Sequence, residues 1–429
     1  MIQMRNGKKM AFLLCGLLLT GCGQTEQESP VEITMIHGWG GTVKTHALMQ
    51  EIYDAFDQGN ADIVLNCQPS SDSSIAVEKA NNMLAVDKMP NIVSTNGQYY
   101  YVKNAEKKGK ALDLMPYIQA DETLASSISK EVLDDWTNED GAIYTLPDAL
   151  EIMGYWYNTK YFEAAGIVDD EGKAKPPGTW EEFYADCEKL KAWQAQQSDM
   201  EQIYALEDVQ VVENLFLARL AGENAEGLAM VKALPEDFDR DTFRSVVTDF
   251  QKIWSYSADT DSLDNARQYF KEGKSAMYFN GIWERESFRD SKQEEDIAYA
   301  NYPTNSGGSL SYISPSSGYV LYDSPDERQK EAEIRFLKYI LSTEAQTKMA
   351  METGQAPTNP NVDIDKITVA DPLLGSALKE AHDADIQIRS ISSVWNSERI
   401  SLLTGDLKEA SLGGAALEDM ILRLNDAVE

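Results

Sequence analysis

Three histidines (His37, His46, His382) and four cysteines (Cys15, Cys22, Cys67, Cys187) carry all the imidazole and thiol chemistry of this 429-residue chain. They are scattered, and none of the ligand spacings of a zinc site occurs among them. His37 opens the run His37-Gly38-Trp39-Gly40-Gly41, which has the look of an oxyanion turn. No serine stands in the Gly-x-Ser-x-Gly elbow that such a turn would serve. Phosphate loops fail by spacing: Gly166 to Lys173 has one residue too many and runs into Ala174. Gly38-Trp39-Gly40 has Val43 where a dinucleotide turn needs its third glycine. Trp136 to Gly141 imitates a calcium loop but puts tryptophan at the first ligand position. With 71 Asp and Glu, carboxylate pairs are inevitable, so pairing alone does not indicate glycoside hydrolysis. The expectation is a protein that binds rather than catalyses, with no metal and no cofactor.

The elements that would position a binding site are legible in the hydropathy pattern. Val31 to Met35 alternates as a strand and runs into the glycine-rich turn. Thr42 to Phe56 then carries Leu48, Met49, Ile52, Tyr53 and Phe56 at helical spacing. Ala61 to Leu65 and Pro90 to Ser94 read as further strands around a helix over Ile75 to Val86. This is the opening of a parallel α/β sheet. The middle of the chain reads as helices Trp180 to Gln197, Gln210 to Ala221, Asp241 to Tyr256 and Leu263 to Glu272, the first opened by a Thr179/Glu182 capping box. Glu331 to Glu352 reads as one long amphipathic helix, and the tail from Asp371 as helical with one break near Ser390 to Trp395. A chain of this length exceeds one ordinary core, so two domains are expected.

Charge narrows the partners. Thirty-eight Lys and Arg against 71 Asp and Glu give −33, which disfavours nucleic acid and anionic lipid surfaces and favours a monomer. At the start, Arg5, Lys8 and Lys9 precede the apolar run Met10 to Leu19, too short to span a bilayer of about 30 Å, as in a secretory signal. Leu19-Thr20-Gly21-Cys22 resembles the lipobox of bacterial lipoproteins, in which the cysteine is diacylated and becomes the new N-terminus. That reading assigns residues 1–21 to a signal peptide, Cys22 to lipid attachment and 22–30 to a polar tether. Cys67 and Cys187 then remain; they could pair in an oxidising exterior or stand as two free thiols.

Three stretches carry a wider resemblance. Tyr144-Thr145-Leu146-Pro147, Tyr155 to Ile167 and Pro176 to Phe183 stand in order and spacing; Phe270 to Trp283 follows, and then Glu333 to Pro357 with Gly354-Gln355-Ala356-Pro357. Together they resemble the extracellular sugar-binding lipoproteins of bacterial ABC importers, the group that includes maltose-binding protein. The resemblance implies a two-lobed periplasmic-binding-protein-like α/β fold (type II) with the ligand cleft between the lobes. It places lobe one at 31–147 plus 303–354 and lobe two at 148–302 plus 355–429. It also implies a carbohydrate ligand, permease partners, and residence on the extracellular face of the cell membrane through the lipid anchor alone. A lipid-anchored glycoside hydrolase and a non-transporting sugar sensor are the competing readings.

A sugar presents apolar C–H faces and a ring of hydroxyls, so its site needs aromatic platforms and a few fixed polar groups. By the resemblance, Trp283 and Trp395 are stacking tryptophans and Glu151 accepts sugar hydroxyls. On the first lobe, His37 and Trp39 end the first strand, and Asn96 and Gln98 end the third, where ligands gather in open α/β sheets. Trp156, Trp180, Trp193 and Trp254 sit in periodic apolar patterns and are expected to pack in the interior. Much of the first lobe's cleft departs from maltose-binding protein, so maltose itself is not implied.

Overall fold

In the computed structural model, residues 29–197, 206–207, 215–233, 240–258, 262–289, 291–316, 318–389, 395 and 397–427 are described. The expected signal segment, Cys22 and most of the tether lie outside them. Strand β1 (Val31–His37) leads through the glycine turn into helix α1 (Lys44–Gly59) and strand β2 (Ile63–Pro69), and helix α2 (Ser73–Ala85) leads into strand β3 (Ile92–Ser94). β1 pairs parallel with both β2 and β3, and Tyr319–Leu321 closes the sheet antiparallel to β3. Both faces of this sheet are covered, as crossover helices require. Ile33 and Met35 pack with Met49, Tyr53, Phe56 and Phe336 on one side, while Ile36 packs with Val77, Val93 and Tyr101 on the other.

The second lobe is built on antiparallel pairing. Tyr155–Asn158 lies between Met277–Tyr278 and Ile297–Ala300, with Tyr155 facing one hydrophobic cluster and Trp156 the other. A second sheet, Tyr302–Pro303, Ser309–Pro315, Ala149–Met153 and Ala356–Pro357, gathers the strands where the chain passes between lobes, and Ile386–Ile388 joins its edge in parallel. These crossings are tied by polar contacts. Thr95 donates both its N–H and its hydroxyl to Gly318 O at 2.8 Å, and the Thr358 hydroxyl donates to Pro147 O at 3.0 Å. Gly318 has φ +60°, and a Cβ there would lie 2.1 Å from Leu146 O, so only glycine fits.

Two expectations need correction. The long helix over 331–352 is two helices, Glu327–Ile340 and Thr343–Thr353, because Ser342 leaves helical geometry and its hydroxyl caps Ala345 N at 3.2 Å. The tail is not helical throughout: Asp385 accepts Ser309 N at 2.9 Å and pins Ile386–Ile388 beside Ser309–Pro315 as a strand. Cys67 and Cys187 are free thiols, the first in β2 and the second buried in helix Trp180–Gln194. The Thr179/Glu182 capping box forms as expected, and Trp156 and Trp180 are fully buried, whereas Trp193 and Trp254 are half-buried.

One buried group carries a stability prediction. Glu333 is 0% exposed; Asn91 Nδ2 donates to its Oε1 at 2.7 Å, and Oε2 has no hydrogen-bond partner among the described residues. Burial pushes its carboxyl up to about 9, so it stays protonated in the folded protein at neutral pH. A raised folded value means this stability is full below the unfolded carboxyl's pKa and is lost as pH rises toward 9. Glu333→Gln keeps the acceptor for Asn91 and removes the ionisation. It should raise stability at pH 7.5 by about 1–2 kcal/mol and flatten the slope above pH 5. Chemical denaturation across pH checks this; an unchanged slope refutes it.

Candidate functional site

The carboxyl ends of β1, β2 and β3 meet in a tight corner. After β1 the chain must pass so close to α2 that a Cβ on Gly38 would lie 2.4 Å from Ser73 N. Asn96, just beyond β3, donates from Nδ2 to Ser73 Oγ at 3.0 Å. Asn96 itself is left-handed at φ 39° and Gly97 at φ 84°, which turns the chain back before Gln98 precedes helix Tyr99–Lys107. Ser73 was missed in the sequence; the signal was there, since Asp72 before a helical apolar pattern marks the start of α2.

The glycine turn is fixed from within. Trp39 N donates to His37 Nδ1 at 3.2 Å, Gly41 N donates to His46 Nδ1 at 2.7 Å, and Gln50 Nε2 donates to Trp39 O at 2.7 Å. Trp39 is half-buried with its indole edge-on to His46, 5.3 Å between ring centroids. His37 is wholly buried beneath this turn, 5.1 Å from the Tyr53 ring. With Nδ1 accepting, its proton sits on Nε2, and burial holds its pKa down to about 4, so the ring is neutral. The structure therefore places His37 as a support of the turn rather than as a wall of the cleft.

Glu151 approaches the same corner from the crossing sheet. Along Ala149–Met153 successive side chains alternate, so Glu151 and Met153 face one side and Leu150 and Ile152 the other. Glu151 pairs across the sheet with Ser314, and its Oε1 lies 3.0 Å from where a Cβ on Gly97 would stand. The carboxylate thus sits against the Asn96–Gln98 turn of the first lobe. Met153 bridges to Gly281, and Trp283 follows in the 3-10 turn Ile282–Glu284. A Cβ on Gly281 would lie 2.2 Å from the Trp283 indole, so the ring folds over a bare backbone. Trp283 is half-buried and belongs to none of the four hydrophobic clusters among the described residues.

The segment that carries Trp283 is rigid. Trp156 Nε1 donates to Gly281 O at 3.0 Å; Arg267 grips Glu284 from Nε and Nη2 at 2.6 and 2.8 Å; Arg285 Nε donates to Asp371 at 2.9 Å. A held platform loses little freedom when a ligand stacks on it. Trp395 is placed otherwise than expected. It is 3% exposed, its indole N–H donates to Met230 O at 3.1 Å, and it packs in the main cluster of the second lobe. A tryptophan whose one donor is already spent on buried backbone is a core residue.

The crossing sheet has a second hollow. A cavity of about 810 Å³ lies on its Leu150 face, lined among others by Ile313, Pro315, Pro357, Leu378 and Arg389. The Asn96–Gln98 turn and the half-buried indole of Trp283 lie instead on the Glu151 face, and that is the candidate site. Among the described residues, no group of three or more His, Cys, Asp or Glu is placed to hold a metal ion, and no helix is long and apolar enough to cross a membrane.

The sequence pattern of the family described as bacterial extracellular solute-binding protein matches residues 51–375. An uncharacterized ABC transporter extracellular-binding protein of Pyrococcus horikoshii is 23% identical over 380 residues, covering 83% of each chain. Among solved structures, a Streptococcus pneumoniae solute-binding protein in complex with the blood group A-trisaccharide superposes with a TM-score of 0.74 at 19% identity, over 92% of this chain and 98% of the other. A chitin oligosaccharide binding protein superposes with a TM-score of 0.72 at 21% identity, over 92% and 98%.

Proposed function

Because the chain belongs to the bacterial extracellular solute-binding protein family, we propose that it is the capture subunit of an ABC importer and that its ligand is a sugar or oligosaccharide. The observation that carries this reading is the convergence of Glu151, the Asn96–Gln98 turn and the unshared indole of Trp283 on one face of the crossing sheet. Trp283 supplies an apolar platform for a pyranose face; Glu151 accepts hydroxyls, Asn96 and Gln98 donate to and accept from them, and Trp39 closes the first-lobe side. The Streptococcus protein bound to a trisaccharide and the chitin oligosaccharide binding protein support a carbohydrate of more than one unit.

Capture proceeds by hinge closure: the ligand touches both lobes only when they approach, so it stabilises the closed arrangement. The proposed lobes are 31–147 with 319–354, and 148–316 with 355–427. The return crossing lies near Gly318 rather than at 303, since a division there would separate Ser309–Pro315 from its partner Ala149–Met153. Lipid on Cys22 would tether the protein at the end of β1 away from the cleft, where Arg328 Nη2 donates to Ser29 O at 2.9 Å. Retention of Cys22→Ser at the cell surface, with an unaltered mature N-terminus, would refute the anchor.

Calorimetric titration with neutral oligosaccharides, raffinose and N-acetylchitotriose included, tests the function. Saturable binding near micromolar affinity, about −8 kcal/mol, with no release of reducing sugar is the expected result. Release of reducing ends would make the protein a glycoside hydrolase, and silence across the panel would remove carbohydrate as its ligand.

A further inference from the structure

Helix α1 begins at Lys44, whose ammonium reaches from the first lobe to the second, with Nζ 2.5 Å from Glu286 Oε1. Glu286 stands three residues after Trp283, in the short helix Arg285–Phe288. The two partners differ in setting: the Glu286 side chain is 3% exposed and that of Lys44 62%. Within its own lobe Glu286 is half satisfied. Arg289 Nε donates to Oε2 at 2.6 Å, whereas Oε1 accepts no hydrogen bond from the described residues of its own lobe and is met by the Lys44 ammonium. Arg289 is fixed in turn by Asp371 Oδ2 at 3.1 Å and, across the proposed lobe division beside the 354/355 crossing, by Met351 O at 3.2 Å.

This arrangement has the properties of a reversible contact. A buried carboxylate that loses its last partner is strongly destabilised. Glu286 keeps Arg289 when Lys44 leaves, and water can reach the vacated Oε1 as the lobes part. Lys44, at the solvent edge, regains its hydration at once. The pair therefore adds to closure without trapping it. We propose that Lys44 and Glu286 form an interlobe latch that positions the Trp283 segment against the first lobe, so that capture of an uncharged carbohydrate is nonetheless weakened by salt. The inference rests on the reading of two lobes closing on a ligand. A second interlobe pair, Asp135 with Arg389, lies by the cavity on the opposite face of the crossing sheet. Rotation that opens the Glu151 face does not separate it, so it serves as a control.

Small-angle scattering of the full chain at low and high sodium chloride, without ligand, tests the latch. The radius of gyration of the wild type should grow with salt. Lys44→Gln should show the larger radius at both salts, its open-to-closed ratio raised about three- to tenfold. Lys44→Arg should restore the wild-type response, and Arg389→Gln should not enlarge the particle. A wild-type radius indifferent to salt, or expansion in Arg389→Gln equal to that in Lys44→Gln, overturns the latch. Adding raffinose and N-acetylchitotriose separates the two claims. Contraction with sugar but no effect of Lys44→Gln sinks only the latch, while a salt response without contraction by any sugar sinks the carbohydrate reading and leaves the latch standing.

Discussion

Trp283→Ala should weaken binding of the proposed carbohydrate ligand by about 1–3 kcal/mol, roughly ten- to a hundredfold in affinity, and should leave the melting temperature nearly unchanged. The indole lies over Gly281, joins none of the described hydrophobic clusters, and is carried by a segment locked through Trp156, Arg267 and Asp371. Truncation therefore removes a ligand platform without opening a cavity in the core. Titration of wild type and variant with the tightest sugar of the panel, alongside thermal melts, reads both quantities. Unaltered affinity in a well-folded variant would take Trp283 out of the site.

Trp395→Ala has the opposite signature. Its indole is buried in the second lobe and donates to Met230 O, so truncation removes core packing and strands a backbone acceptor. The loss of folding stability should be about 3–5 kcal/mol, while the fraction still folded binds sugar with near wild-type affinity. Denaturant titration of the variant with and without saturating sugar separates the two effects. A stable variant with impaired binding would return Trp395 to the cleft wall.

The contrast between these two tryptophans shows what the sequence could and could not convey. Alternation in β1 and the helical spacing of Met49, Ile52, Tyr53 and Phe56 read directly as a covered parallel sheet, because both faces impose a period. The crossing sheet was illegible. Ala149–Met153 pairs with Ser309–Pro315 across about 160 positions, and Ala356–Pro357 adds only two residues, too few for any pattern. The resemblance puts both Trp283 and Trp395 beside the cleft. Which way each ring turns depends on its neighbours: a glycine that frees the one and a backbone carbonyl that captures the other. The resemblance implies that Glu151 faces the ligand; the alternation of its strand puts it on the same face as Met153. His37 and Trp39 are expected beside the cleft at the end of the first strand, yet His37 is wholly buried, and Trp39 in the turn beyond it is half-buried and packs partly against the first-lobe core. Nothing in the sequence signalled that Lys44 would meet Glu286, since neither stands in a motif.

The central claim is that carbohydrate sits on the Glu151 face of the crossing sheet, between the lobes. A crystal structure of the full chain with the tightest-binding oligosaccharide tests it most directly. The account predicts a pyranose ring stacked on Trp283, hydroxyls within hydrogen-bond distance of Glu151 and of the Asn96–Gln98 turn, and lobes closed over it. Sugar bound instead in the 810 Å³ cavity on the Leu150 face, with the Glu151 face empty, would contradict it.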